Sequence, residues 1–223
     1  MVSGEWTEPI LQTTTCELSP LLLTTHAFMP AITRDSLMTL EAYARARPQF
    51  RARVMAHKQN RTLELGEHLT LIFEDELTVR YQVQEMLRAE RTFEEAGIQD
   101  ELDAYNPLIP DGANWKATLM IEYPDVDERR RMLARLIGIE DRVWVQVAGH
   151  ARVHAIADED LERDTAEKTS AVHFLRFELD PAMVRALKEG AALAVGVDHP
   201  EYSHTIGAVD PAVRASLVND LAG

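Results

Sequence analysis

The chain reads as an α+β protein whose N-terminal helices pack on a mixed or antiparallel sheet in the C-terminal half. Three observations predict this. Helical segments come first and a strand-rich half follows. The strands do not alternate strictly with helices, as a doubly wound fold would require. The chain has 223 residues, 46% hydrophobic and 27% charged, enough apolar material to bury a core without cross-links.

Thr33 can cap a first helix, with Asp35 and Ser36 in its opening turn. Pro48 is expected to break or kink it, because the residue before a proline disfavours helical angles. A second helix then runs to about residue 60. Residues 64–74 read as strand, glycine turn, strand: Leu69, Leu71 and Phe73 alternate with Thr70 and Ile72. The spacing predicts the longest helix over 75–96, ended by Gly97, and a short helix over 98–105. Two prolines and a Pro-Asp-Gly turn make 106–112 a rigid loop.

A strand over 115–123 and a helix over 125–137, stopped at Gly138, follow. Residues 143–147 and 151–157 read as a hairpin across Gly149-His150. Residues 158–169 are a charged, mobile loop. Strands are expected at 172–179 and 193–197, and helices opened by Asp180-Pro181 and Asp210-Pro211. Residues 1–28 are set apart as a poorly ordered N-terminal extension, with 29–223 as one domain.

Net charge is −14 and unevenly spread. Residues 29–63 carry seven Lys/Arg against two Asp/Glu, and 64–128 carry four against seventeen. Such an acidic balance argues against nucleic acid as a partner, since phosphate contacts need a basic face. The asymmetry fits either basic helices packed beside acidic ones or a surface that docks a partner. No run of ~18 apolar residues exists to span a membrane. Cys16 is the only cysteine, which excludes a disulfide, a thiolate metal site or an iron–sulfur cluster held by one chain. A cytoplasmic location is the resulting expectation. Phosphate-loop, dinucleotide, serine-hydrolase and zincin motifs are absent. Only one Glu-x-x-His pair is present, Glu201 with His204, where a di-iron carboxylate site needs two.

Three constellations could carry chemistry. Asp198-His199-Pro200-Glu201-Tyr202-Ser203-His204 places two imidazoles and two carboxylates within seven residues. Transition metals take such N/O donors, so His199, His204 and Glu201 are candidate ligands, or else members of a solvated turn. His173 shares a period-two face with Leu175, Phe177 and Leu179. A ring on that stripe is a hydrogen-bonded core histidine or a further ligand. Were its strand the antiparallel neighbour of the His199 strand, both rings could meet. On the long helix, Glu90 and Glu94 fall inside the apolar arc of Val79, Val83, Met86, Leu87 and Phe93. A carboxylate there must be paired, for instance with Arg45, Arg47, Arg51 or Arg53, or act as a buried acid or ligand. Glu90 is the candidate catalytic residue. His150 and His154 lie roughly 13 Å apart on a strand and are set aside.

Two stretches carry a family resemblance. One runs from Thr33-Arg34-Asp35-Ser36-Leu37 through Arg47-Pro48-Gln49-Phe50-Arg51, Leu65-Gly66, Phe73-Glu74 and 82–90 to Tyr105-Asn106-Pro107-Leu108-Ile109-Pro110 and 117–122. The other runs from His173-Phe174-Leu175-Arg176-Phe177-Glu178 to Asp198-His199-Pro200-Glu201-Tyr202. Together they resemble the bacterial domain-of-unknown-function family 3501 over roughly residues 30–220. The resemblance implies a gene context of rubrerythrin-like proteins and iron–sulfur oxidoreductases, hence oxidative stress or electron transfer. It carries over no catalytic residues.

Three functions are therefore expected, in this order. The first is an accessory protein docking on a rubrerythrin-like or iron–sulfur oxidoreductase partner. The second is a mononuclear protein holding one transition-metal ion through His199, His204, Glu201 and His173, with Glu90 nearby. The third is a small-molecule binder with a pocket between the long helix and the sheet.

Overall fold

The computed structural model describes residues 31–222 except residue 162. The expected extension 1–28, with Cys16, lies outside them. A short 3₁₀ turn at Arg34–Ser36 leads into α1, Leu40–Gln59, capped by the Thr39 hydroxyl. Pro48 lies inside α1 and does not end it. The proline removes one backbone bond, but side chains on both sides of it hold the helix to α2. Tyr43 donates to Glu85 at 2.7 Å, Arg47 grips the same carboxylate through two nitrogens, and Phe50 packs on Tyr43 and Tyr81.

After strands β1, Thr62–Glu64, and β2, Leu69–Glu74, Asp75 caps α2, Glu76–Glu90. Here the chain departs from the expected single helix over 75–96. Arg91 turns left-handed at φ 56° and closes α2, and α3, Glu95–Tyr105, starts afresh with Gly97 in its first turn. The apolar periodicity persisted across a break made by one residue's backbone. α2 and α3 form a small separate core of Val79, Val83, Leu87 and Leu102, with Ile32 and Ile109.

The remaining elements are β3, Asn114–Ile121; α4, Val126–Arg135; β4, Val143–Val147; β5, Arg152–His154; β6, Ile156–Ala157; β7, Val172–Glu178; α5, Pro181–Lys188; β8, Leu193–His199; β9, Tyr202–Ile206; and α6, Pro211–Val218. Strand pairing is antiparallel throughout and falls into two sheets, one ordered β1-β2-β3-β7-β6 and one ordered β5-β4-β8-β9. The N-terminal helices thus join an antiparallel C-terminal half, as the sequence predicts, with β1 and β2 contributed from earlier in the chain. The two-residue turn Pro200-Glu201 closes a hairpin onto β9. Polar, exposed Tyr202–Ile206 gave no strand signal because it forms a sheet edge.

Alternate residues of both sheets meet in the main core. Leu71, Phe73, Trp115, Leu119, Leu175 and Phe177 face Val143, Val145, Val195 and Val197. Two devices tie the sheets. The chain crosses from β5 to β6 through Ala155, whose N–H donates to Val143. The Tyr202 hydroxyl donates to the Leu65 carbonyl at 2.6 Å and accepts from the His68 N–H. Gly66 sits under that hydroxyl at φ +80°, and a Cβ there would collide with it. No helix among the described residues is long and apolar enough to cross a membrane.

Candidate metal centre

His173 lies near the start of β7 on the sheet's inner face, fully buried. Its ring is held from both sides. Nδ1 donates to Asp158 Oδ2 at 2.6 Å. Nε2 lies 2.8 Å from the Thr169 hydroxyl and 3.1 Å from the Ser170 carbonyl. Beyond Nε2 stand two carboxylates, Glu140 Oε2 at 3.7 Å and Asp164 Oδ1 at 4.0 Å. One donor atom from each of Glu140, Asp164 and His173 lies within 4.8 Å of the others.

Each member is placed by local structure. Gly138 turns the chain out of α4 at φ +81°, and a 3₁₀ turn at Glu140–Arg142 carries Glu140 inward before β4 begins. The Gly138 N–H donates to Asp164 Oδ2. The Thr169 N–H donates to the Leu133 carbonyl, and its hydroxyl donates to Asp164 Oδ1 at 2.5 Å. Asp158 follows β6 in the left-handed region at φ 47° and accepts from the Phe174 N–H through Oδ1. Non-glycine residues held so are costly and cluster at functional sites. Within the expected charged loop 158–169, Asp158, Asp164 and Thr169 are thus hydrogen-bonded into the site. Arg163 bonds Asp158 and Asp160 and lies over the Phe174 ring.

Electrostatics set this cluster apart. Glu140 is 7% exposed, and its Oε2 has no hydrogen-bond donor. Burial, helped by the neighbouring Asp164 carboxylate, pushes its carboxyl up to about 7 against the pull of its own backbone N–H and of His173. Three carboxylates, Glu140, Asp158 and Asp164, surround one imidazole with only Arg163 as a fixed cation. Counted as ionised, three acids less one guanidinium leave a deficit of two positive charges. The Glu/Asp/His triad is capable of coordinating a metal ion. Asp158 on Nδ1 is the outer carboxylate that fixes the ring orientation of metal-bound histidines.

The other candidate residues lie elsewhere. β8 pairs with β4 and β9, and β7 with β3 and β6, so the strands of His173 and His199 lie in different sheets and are not the antiparallel neighbours that a shared site was expected to need. The His199 ring is engaged at both nitrogens, Nε2 donating to the Ile137 carbonyl at 3.2 Å and Nδ1 accepting from the Glu201 N–H at 3.1 Å. Glu201 turns to Arg135, and His204 is exposed on β9. Among the described residues, His199, Glu201 and His204 do not form a group of three donors lying within 4.8 Å of one another. Glu90 is exposed in the last turn of α2 rather than on a buried arc, and Arg47 pairs with Glu85 instead. Glu94 lies beyond the end of α2, at the start of α3, so the two carboxylates do not share one helical arc.

Period-two placement on an apolar face singled out His173. Glu140, Asp158 and Asp164 carried no comparable signal: they come from two connections, the turn before β4 and the segment between β6 and β7, and only tertiary folding joins them to His173.

The whole described domain matches one family model, that of the proteins of unknown function DUF3501, over residues 31–221. The chain belongs to this family. A crystal structure described as that of a novel protein of unknown function from Burkholderia pseudomallei superposes on it with a TM-score of 0.83. The two share 62% sequence identity over 86% of this chain and 100% of that one. No curated protein matches the chain.

Proposed function

We propose that this DUF3501 protein binds one divalent transition-metal ion through Glu140, Asp164 and His173. The observation that carries the reading is the buried Glu140 Oε2, which has no donor and faces the other two ligands. A divalent ion closes the charge deficit and gives that oxygen a partner. One imidazole and two carboxylates suit manganese, iron or zinc. Three protein donors leave coordination positions for water or substrate, as catalytic sites do. Asp164, less buried than His173, marks the side open to solvent. Metal-dependent chemistry at this centre is the proposed activity.

Elemental analysis of protein purified from its host without chelators tests the binding. About one ion per chain is expected, lost in His173→Ala and retained in His199→Ala. Full stoichiometry in His173→Ala would refute the site, and its loss in His199→Ala would move the site to the β8–β9 turn with Glu201 and His204.

The accessory role beside a rubrerythrin-like protein or iron–sulfur oxidoreductase is supported by the family resemblance and by the acidic stretch 64–128. Affinity capture at low salt that recovers neither kind of partner would remove it.

A further inference from the structure

Among the described residues, β1 and β6 stand at the edges of one sheet and β5 and β9 at the edges of the other. An edge strand offers unpaired backbone N–H and C=O groups to a second chain, and proteins blunt it by keeping it short or by charging it. β1 and β5 are three residues long and β6 is two. β5 also carries Arg152, which lies over the Trp144 ring and pairs with Asp198. β9 has neither protection. It runs for five residues, Tyr202-Ser203-His204-Thr205-Ile206, without a carboxylate, lysine, arginine or proline, and Ser203, His204 and Thr205 are exposed.

The hairpin fixes which backbone groups are free. Only Pro200 and Glu201 separate His199 from Tyr202, so these two close the ladder as a hydrogen-bonded pair. Bonded and non-bonded pairs alternate along antiparallel strands. Tyr202, His204 and Ile206 therefore bond back to β8, while Ser203 and Thr205 aim their N–H and C=O groups at the open edge. No backbone group of another described element meets them there.

The order of residues suits a second copy of the same strand. Laid antiparallel about His204, β9 sets Ser203 opposite the partner's Thr205, and both of these residues turn their backbone groups outward to exchange bonds. Tyr202 falls opposite the partner's Ile206, an aromatic and β-branched pair of the kind that stabilises sheets. Glu201, the ionised residue next to the strand, falls opposite the partner's Gly207 and is already paired with Arg135 within its own chain. The register thus brings no like formal charges together. His204 meets the partner's His204 on the two-fold axis, as a non-bonded pair.

We propose that β9 is a dimer interface, at which two copies of this chain join antiparallel so that one sheet runs through both subunits. The contact is isologous and closes on itself. It is separate from the metal centre and does not rest on it.

Sedimentation equilibrium of the full chain should return a dimer. Thr205→Pro removes an outward N–H without touching the ladder to β8. His204→Lys sets two ammonium groups against each other across the axis. Each variant should return a monomer with the far-ultraviolet circular dichroism of the wild type. Cysteines report the register. In a Cys16→Ser background, His204→Cys should link to its counterpart on air oxidation, because non-bonded partners lie about 4.5 Å apart at Cα, within disulfide reach. Ser203→Cys, whose counterpart lies on the diagonal at roughly 7–8 Å, should stay unlinked. A monomeric wild type at every concentration, a dimer that survives both Thr205→Pro and His204→Lys, or no link in His204→Cys would overturn the proposal.

Discussion

Two buried ionic clusters occupy opposite states of completion. In the first, Arg61 is 1% exposed and all its nitrogens are engaged. Nε donates to the Phe73 carbonyl, Nη2 to the Glu74 carbonyl and to Asp220 at 2.5 Å, and Nη1 to Asp220 and Ser216. Asp75 stands 3.5 Å from the same guanidinium and takes a 2.5 Å bond from His57. This network binds the C-terminal segment after α6 to β2 and the start of α2. In the second, around His173, acids outnumber cations and one buried oxygen has no donor. The first is a lock in which every carboxylate oxygen of Asp75 and Asp220 has a hydrogen-bond donor within the chain, even though burial, and then the Asp75 charge, push the Asp220 carboxyl up to about 6 against the pull of Arg61. In the second, one buried carboxylate oxygen has no donor within the chain, and the proposed metal ion would supply its partner.

Removing the single cation of the lock should have the largest effect. Arg61→Met leaves Asp220 and Asp75 buried without a counter-charge, and unfolding in urea should show a loss of about 3–5 kcal/mol. A loss below about 1 kcal/mol would mean that the lock is dispensable.

The isosteric change Glu140→Gln should act in the opposite direction on metal-free protein. Because the folded pKa of Glu140 is raised, to about 7, its contribution to stability is full below its unfolded value and is lost as pH rises through 7. The substitution should therefore stabilise the chain at pH 8 by on the order of 2–3 kcal/mol, with little effect near pH 4, while lowering metal content. Destabilisation at pH 8 would show that Glu140 is satisfied as it stands.

Asp75→Asn sharpens the contrast with the same kind of change in the lock. Burial pushes the Asp75 carboxyl up, but Arg61, the Thr78 N–H and His57 outweigh it and hold the pKa below the usual carboxylate value. Its stability is present above the unfolded pKa and lost as pH falls. The substitution should cost about 2 kcal/mol at pH 7, shrinking toward pH 3. Thermal melts across that range would show the trend, and a cost that grows on acidification would contradict it.

The smallest effect is expected at the surface. Glu201→Ala removes an exposed pair with Arg135 and should change stability by less than about 1 kcal/mol, with metal content unchanged.

Much of the fold was legible because it rests on local rules. The alternation of Leu69, Leu71 and Phe73 placed β2, and Asp180-Pro181 and Asp210-Pro211 placed the starts of α5 and α6. Where the reading failed, a long-range or single-residue effect decided. Contacts to Glu85 carried α1 through Pro48, one left-handed residue split 75–96 at Arg91, and edge position hid β9. The Asp198–His204 cluster drew attention because its donors are close in sequence, yet the hairpin engages His199 with its own backbone and exposes His204.

By itself the sequence determined the class of fold, most element positions and the burial of His173, since periodicity follows from backbone geometry over a few residues. Only the tertiary structure decided that the sheet is two sheets and that Glu140, Asp158 and Asp164 converge on His173. Those pairings join residues far apart in the chain, and their energies depend on burial and on which charges lie nearby, quantities that exist only once the chain has closed on itself.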